Sequence, residues 1–398
     1  MQNGSRLLYF RPSMRHLAAY ITGHGFGHAT RSAALLAAVA ARRPGLRITV
    51  VSTAPEWLFR LNLPFPFTYR AAAFDVGTIQ RDAIRLDLDA TLDACRALLR
   101  DEPTHLAAET AFLRREGVDA VLADIPWLPF PAARRAGIPA VGVSNFSWDW
   151  IYAEYQPTHP GFEPVGRAIR QGYAQADLFL RLPFHGPCDA FPAVRDIPLI
   201  ARRAGRPREA IRGALGLTDD RPVVLLSFGG FDIRGIDLER VERLGDYCFL
   251  STQLPPRPPG NLRPLSLEGT TYEEVVAAAD AVITKPGYGI VSDCLANRTP
   301  VLYTSRGAFA EYPRLVEGLE RFGVCEFISN QDLLAGRWGP ALAALLRRPR
   351  CWPTLDLTGA EVAAEALDCL ADTPRPDASE GASRLHDAPG PDAGHSRR

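Results

Sequence analysis

The chain has 398 residues, 46% of them hydrophobic, with 34 prolines spread along it, which is enough for two domains of ordinary size and more than one core usually serves. Lysine plus arginine and aspartate plus glutamate balance at 45 each, so composition provides no pull toward nucleic acid or an anionic membrane surface. Seven scattered cysteines with no C-x-x-C pair read as reduced thiols of a cytoplasmic protein, and no apolar stretch reaches the roughly 18 residues that cross a bilayer.

Residues 1–14 lack a signal-peptide core and read as a flexible leader. The first strand is the apolar run Leu17 to Thr22, followed by Gly23-His24-Gly25-Phe26-Gly27-His28-Ala29-Thr30-Arg31 and an Ala/Leu-rich helix. Glycines let a backbone approach a ligand closely, the helix start offers free N–H groups, and an imidazole there can serve as a base near neutral pH. The same turn would also simply pack a helix on a sheet. Arg47 to Ser52 reads as a strand, and the polar loop Asp75 to Asp82, with Asp75 and Gln80, is a candidate for acceptor contact or a solvated loop. Asp87 and Asp89 form a D-x-D pair inside a helical pattern, where the two carboxylates diverge by about 200°; the pair reads as a solvated face, not a metal site.

The strand Ala120 to Asp124 ends on a carboxylate that either points toward His28, fixing its tautomer as a base requires, or caps the following segment. After the strand Ala140 to Ser144 come Asn145, Phe146, Trp148, Asp149 and Tyr152, a set suited to sugar rings and hydroxyls but equally to a core. Leu178 to Leu182 is a further strand, and the proline-rich residues 183–205 read as a linker. The alternation of short apolar runs with helical segments predicts βαβ units and a parallel sheet over 15–182.

The pattern restarts over 206–372, with strands Pro222 to Ser227, Tyr247 to Ser251, Ala281 to Thr284 and Pro300 to Tyr303. Two doubly wound Rossmann-like α/β domains in tandem, facing a central cleft, follow from this repetition. The Gly229-Gly230 turn follows one strand and can hold a diphosphate. Lys285-Pro286-Gly287-Tyr288-Gly289 follows another, with Asp293 on the first turn of the next helix either accepting ribose hydroxyls or complementing the helix dipole, and Glu311 within reach of sugar hydroxyls. No G-x-x-x-x-G-K-[ST] loop occurs. The tail 373–398 is too poor in apolar residues to fold and reads as disordered.

Taken together, Gly23 to Arg31, Asn145 to Tyr155 and Lys285 to Asp293 resemble the glycosyltransferase-like N-terminal region of plant L-arabinokinase and, more distantly, the MurG and UDP-glycosyltransferase families. The resemblance extends through Asp75-Val76-Gly77, Phe309 to Pro313 and Asp332 to Trp338, spanning about residues 15–371. It implies a GT-B architecture, an N-terminal acceptor domain, a C-terminal nucleotide-sugar domain and no required metal or cofactor. His28 matches the histidine base of UDP-glycosyltransferases, Asp124 looks like its orienting aspartate, and Asp293 stands where MurG-like proteins carry Glu. The kinase half of L-arabinokinase has no counterpart here.

These readings converge on a glycosyltransferase moving a sugar from a nucleotide sugar, UDP-linked, to a small hydroxyl-bearing acceptor. His28 and Asp124 would be catalytic. Gly229, Gly230, Lys285, Gly287, Gly289, Asp293 and Glu311 would hold the donor, and His24, Asp75, Gln80, Asn145, Trp148 and Asp149 the acceptor. A noncatalytic nucleotide-sugar sensor is the alternative, and an epimerase or hydrolase of the same fold a further one.

Overall fold

A computed structural model describes residues 14–80, 86–218, 220–228, 235–307 and 309–372. In the first half, strands β1 (His16–Ile21), β2 (Arg47–Ser52), β3 (Thr68–Ala71), β4 (Ala120–Asp124), β5 (Ala140–Ser144), β6 (Leu178–Arg181) and β7 (Val194–Asp196) alternate with helices α1 (Phe26–Arg42), α2 (Glu56–Asn62), α3 (Leu88–Arg115), α4 (Pro129–Ala136), α5 (Trp148–Ala153) and α6 (Phe162–Tyr173). They form one parallel sheet in the order β3-β2-β1-β4-β5-β6-β7. The second half begins with α7 (Arg208–Ala214) and carries β8 (Val223–Ser227), α8 (Leu238–Glu242), β9 (Cys248–Ser251), β10 (Leu262–Pro264), α9 (Tyr272–Ala278) and β11 (Ala281–Thr284). It continues with α10 (Tyr288–Ala296), β12 (Val301–Tyr303), α11 (Glu311–Phe322), β13 (Cys325–Phe327), α12 (Asn330–Leu334), α13 (Gly339–Arg347) and α14 (Gly359–Asp372), and its sheet runs β10-β9-β8-β11-β12-β13.

Helices cover both faces of a parallel sheet, so its central strands become continuous apolar runs. Val121, Leu122 and Ala123 of β4 and Val282 and Ile283 of β11 are accordingly fully buried. Each such side chain, taken from water, contributes about 1–3 kcal/mol. The outer strands escape that rule: β7 is exposed along its length, and β3, β10 and β13 are only partly buried. These four carry no apolar signature, and the sequence pattern shows none of them.

Three expected boundaries change. Residues 183–205 were expected to be a linker, but within them β7 pairs with β6, Phe179 opposite Val194, so the first sheet extends into that segment. Met14, placed in the leader, is buried in the core, while 1–13 and the tail 373–398 lie outside the described residues. Finally, α14 leaves the second half and packs on α1, where Arg42 and Arg43 pair with Asp368 at 2.8 and 2.5 Å. Beneath those ion pairs one apolar cluster runs from Leu17 and Val39 through Ala363 and Leu367 to Leu225 and Val282, so the two halves share a core. No helix of the described residues is long and apolar enough to cross a membrane.

Candidate active site

In each sheet the strand order reverses between two neighbours, β1 and β4 in the first, β8 and β11 in the second. Loops leaving those strand ends diverge to opposite faces and open a crevice. The loops after β1 and β11 face one another across a cleft of about 730 Å³, which is lined by His24, His28, Asp75, Gln80, Lys285, Gly287, Gly289, Asp293 and Glu311 among others. Gly229 and Gly230 lie outside the described residues; Ser227 and Phe228 before them line the cleft.

On the first side, β1 ends opposite β4 with Ile21 paired to Asp124. Gly25, with φ of 79°, turns the chain into α1, and His28 falls on the first turn of the helix. Its Nδ1 lies 2.8 Å from Asp124 Oδ1, and both side chains are buried. Arg31, one turn further, forks onto the same carboxylate through Nε at 2.8 Å and Nη2 at 2.5 Å, and Ser32 donates to it at 2.7 Å. Arg31 Nη2 stands within reach of Asp124 Oδ1, of Ser144 Oγ at 2.8 Å and of His28 Nδ1 at 2.9 Å. Asp124 is held as the anion and can only accept, so the hydrogen bond between it and His28 is donated by Nδ1–H, which gives the two Nη2 protons of Arg31 to Asp124 and Ser144 and leaves Nε2 as the basic nitrogen. Nε2 has no hydrogen-bond partner among the described residues.

The charges follow from this packing. Burial works against the Asp124 anion, but Arg31 and then His28 hold its carboxyl well below the usual carboxylate range. For His28, burial and then the Arg31 cation lower the pKa against the opposing pull of Asp124, so the ring is neutral near pH 7. His24 is lowered further, by burial and by Arg306, His28 and Lys285. Its ring is fixed by Thr78, whose N–H donates to Nδ1 at 3.3 Å, and stacks on Phe309 of the second half. Asp75 receives Trp148 Nε1 at 2.8 Å, and burial raises its carboxyl to about 6 against Thr22 and Trp148, which lower it.

The two glycine turns touch. A Cβ on Gly289 would stand 2.8 Å from Gly27 Cα, and one on Gly27 would stand 3.2 Å from Gly289 N. Only glycine permits that spacing. Other contacts bridge the halves around it: Arg31 lies 4.9 Å over the Tyr288 ring, Lys285 Nζ reaches Gln80 Oε1 at 3.2 Å, and Asn145 Nδ2 donates to Glu311 Oε1 at 2.8 Å.

Several residues expected at the ligand are engaged elsewhere. Trp148 is fully buried and Asp149 nearly so, bonded to Arg170 at 2.9 Å, and neither lines the cleft, whereas the buried Phe146 beside them does. Asn145 is also fully buried, its Oδ1 accepting from Arg31 Nη1 at 2.8 Å. Glu311 uses its second oxygen to accept from Arg306 at 2.7 Å. Asp293 sits on the second turn of α10, not the first, and its carboxylate accepts from Arg202 N at 3.1 Å and Arg202 Nη2 at 2.5 Å. Arg202 also reaches Asn62 Oδ1 at 3.0 Å, tying the two sides of the cleft. Sequence pattern assigns no role to Arg31, Arg202 or Arg306. Arg31 alone was findable, because an arginine on the core-facing side of a helix needs a carboxylate partner. Among the described residues no group of three or more His, Cys, Asp or Glu side chains is arranged to hold a metal ion.

No family model matches the chain. It is 33% identical over 390 residues to L-arabinokinase of Arabidopsis thaliana, an alignment covering 94% of this chain and 37% of that protein. It is 27% identical over 232 residues to an uncharacterized glycosyltransferase of Methanopyrus kandleri, covering 49% of this chain and 59% of the relative. The chain thus spans little more than a third of one curated relative and under two thirds of the other. Among solved structures, the glycosyltransferase of kitacinnamycin superposes with a TM-score of 0.56 at 19% identity, covering 90% of this chain and 96% of that one. The UGT2 of Phytolacca americana complexed with UDP-2fluoro-glucose and pterostilbene gives 0.54 at 13%, covering 90% and 94%, and MurG of Acinetobacter baumannii gives 0.52 at 14%, covering 89% and 99%. Two parallel sheets of this order, facing one cleft, and these superpositions over almost the whole chain identify it as a GT-B glycosyltransferase fold that is similar, along nearly its full length, to part of L-arabinokinase.

Proposed function

We propose that this protein is a glycosyltransferase that moves a sugar from a nucleotide sugar to a small hydroxyl-bearing acceptor. The observation that carries the reading is the imidazole of His28, anchored through Nδ1 to Asp124 and lining a cleft that the start of α10 faces from the other side. In the step proposed, the acceptor O–H gives its proton to Nε2 as its oxygen forms the bond to the anomeric carbon. The bond from that carbon to the diphosphate breaks, its electron pair leaves on the diphosphate oxygen, and the configuration inverts. The first N–H groups of α10 and Lys285 stabilise that charge. UDP as the carrier is favoured by the UDP-2fluoro-glucose in the Phytolacca americana structure. Direct displacement with protein-supplied charge needs no metal, so metal independence belongs to this reading, as does a reducing, cytoplasmic setting, supported by five buried free cysteines.

A panel of nucleotide sugars, with ATP as a further arm, tests the reading by thermal stabilisation of the purified protein followed by transfer to simple polyol and sugar acceptors. A donor at a hundred times its Kd adds about 2.7 kcal/mol. The expected result is stabilisation by one nucleotide series, turnover unaffected by EDTA and loss of turnover in His28→Ala. Stabilisation without transfer or donor hydrolysis would favour the noncatalytic sensor. Absence of any nucleotide effect would remove the donor site, and stabilisation by ATP alone would redirect attention to the sugar kinase activity named for L-arabinokinase.

A further inference from the structure

Asp124 and Glu311 belong to different halves of the molecule, yet one unbroken chain of polar contacts joins them. Asp124 is gripped by Arg31 Nε and Nη2, Arg31 Nη1 donates to Asn145 Oδ1 at 2.8 Å, and Asn145 Nδ2 donates to Glu311 Oε1 at 2.8 Å. Glu311 is held in turn by Arg306 at 2.7 Å, whose guanidinium lies 4.0 Å over Phe309. Every side chain from His28 to Glu311 is buried. The Asn145 amide has one orientation here, because its oxygen meets a cation and its nitrogen an anion; turning it over would set NH₂ against guanidinium and oxygen against carboxylate.

We infer that Arg31 is the positioning residue of the His28–Asp124 pair and that its grip is set from the second half of the molecule, by Glu311 through Asn145 and by Tyr288 beneath its guanidinium. This rests on the reading of His28 as base and adds how that base is assembled. The fork of Arg31 fixes the orientation of both Asp124 oxygens, so Oδ1 meets His28 at Nδ1 and the carboxylate cannot swing to Nε2. The cation beside the ring also lowers the affinity of the ring for a second proton. Glu311, expected at a donor sugar, instead keeps Arg31 in register across the cleft. The groups facing His28 are Asp124 from β4, Arg31 from its own helix, Glu311 from α11 and His24 from the preceding loop, with Arg306 and Lys285 behind His24. Of these, Arg31 is the cation that can be removed without emptying either the base or its anchor.

The test is a histidine-ring NMR titration of the full chain labelled with ¹⁵N-histidine and ¹⁵N-arginine, the His28 and Arg31 signals being assigned by their loss in His28→Gln and Arg31→Met. It needs no substrate, so it separates this inference from the transferase reading. In the wild type His28 is expected as the Nδ1–H tautomer, titrating below the ordinary histidine value of about 6.5. Arg31→Met is expected to raise its pKa by at least one unit, a tenfold gain in proton affinity, and Arg31→Lys to restore most of the difference. Should Arg31→Met fail to fold, Glu311→Gln and Asn145→Ser, which leave the Asp124 ion pair intact, are expected to move the His28 resonance and broaden the Arg31 Nε signal. An Nε2–H tautomer in the wild type would overturn the inference. So would a His28 titration unchanged in every folded variant. Shifted titration in a protein without transferase activity would keep the network and remove the transferase; transfer with an unmoved titration would do the reverse.

Discussion

The helix starts of α1 and α10 are built alike and equipped differently. Both follow a buried parallel strand at a point of reversal in strand order, both open through glycine, and they touch at Gly27 and Gly289. Both sit beside a buried aspartate gripped by an arginine, Asp124 by Arg31 and Asp293 by Arg202. A histidine stands on the first pair and none on the second. A carboxylate–guanidinium pair alone clamps; with a neutral imidazole keyed to the carboxylate it can also take a proton. On the proposed reading the first turn does the chemistry and the second holds charge.

The sharpest way to break that distinction is His28→Ala. General bases contribute about 10²–10⁴-fold, so transfer is expected to fall by about 10³ while the donor still stabilises the protein in a melting assay. Equal loss from Lys285→Ala with intact His28-dependent rate would place the chemistry on the wrong turn. Since the ring is held below its ordinary value by burial and Arg31, the acid limb of kcat/KM is expected below pH 6.5. On the same grounds His28 is neutral in both folded and unfolded chains at high pH, and its contribution to stability is lost as pH falls below about 6.5.

The two aspartates separate next. Asp124→Ala leaves Arg31 buried without a counter-ion and is expected to cost about 3–5 kcal/mol in urea unfolding. Asp293→Ala frees an arginine that keeps Glu273 at 3.2 Å and Asn62 at 3.0 Å, so a smaller loss is expected. Asp124 itself, depressed in the fold, contributes its stability above about pH 4, and that contribution disappears as pH falls further.

Asp75 carries the opposite sign. With its folded carboxyl raised from 3.8 to about 6, the folded chain keeps a proton that the unfolded chain has released, so stability falls as pH rises from about 4 through 6. The expected change is about 2–3 kcal/mol over that window. In Asp75→Asn this slope should vanish, and a slope that persists would assign it to another group.

The sequence carries the first turn more fully than the second. The apolar runs before His28 and ending at Asp124 follow from burial of both sheet faces, and a histidine and a carboxylate at neighbouring strand ends are visible as residue types. Which arginine answers which aspartate is not visible, because Arg31 meets Asp124 across 93 residues and Arg202 meets Asp293 across 91. Local pattern also cannot tell Trp148 in a core from Trp148 on a ligand, since both need the same ring. The outer strands β3, β7, β10 and β13 stay hidden for want of a buried face, and α14 gives no local sign that it crosses back to α1.

The contact between the turns provides the smallest and most local test. Gly289→Ala places a methyl 2.8 Å from backbone at Gly27 Cα, and backbone cannot swing aside as a flexible side chain can. The two helix starts must then separate by several tenths of an ångström, at a cost of about 1–3 kcal/mol for overpacking. Such a shift also lengthens the paths from Tyr288 to Arg31 and from Glu311 to Asn145, which run beside it. If the cleft works as one unit, Gly289→Ala lowers transfer by about tenfold or more, as small misplacements of reacting groups do, while His28 and its immediate partners are chemically untouched. A variant with full turnover would mean that the two turns operate independently and that their contact serves packing alone.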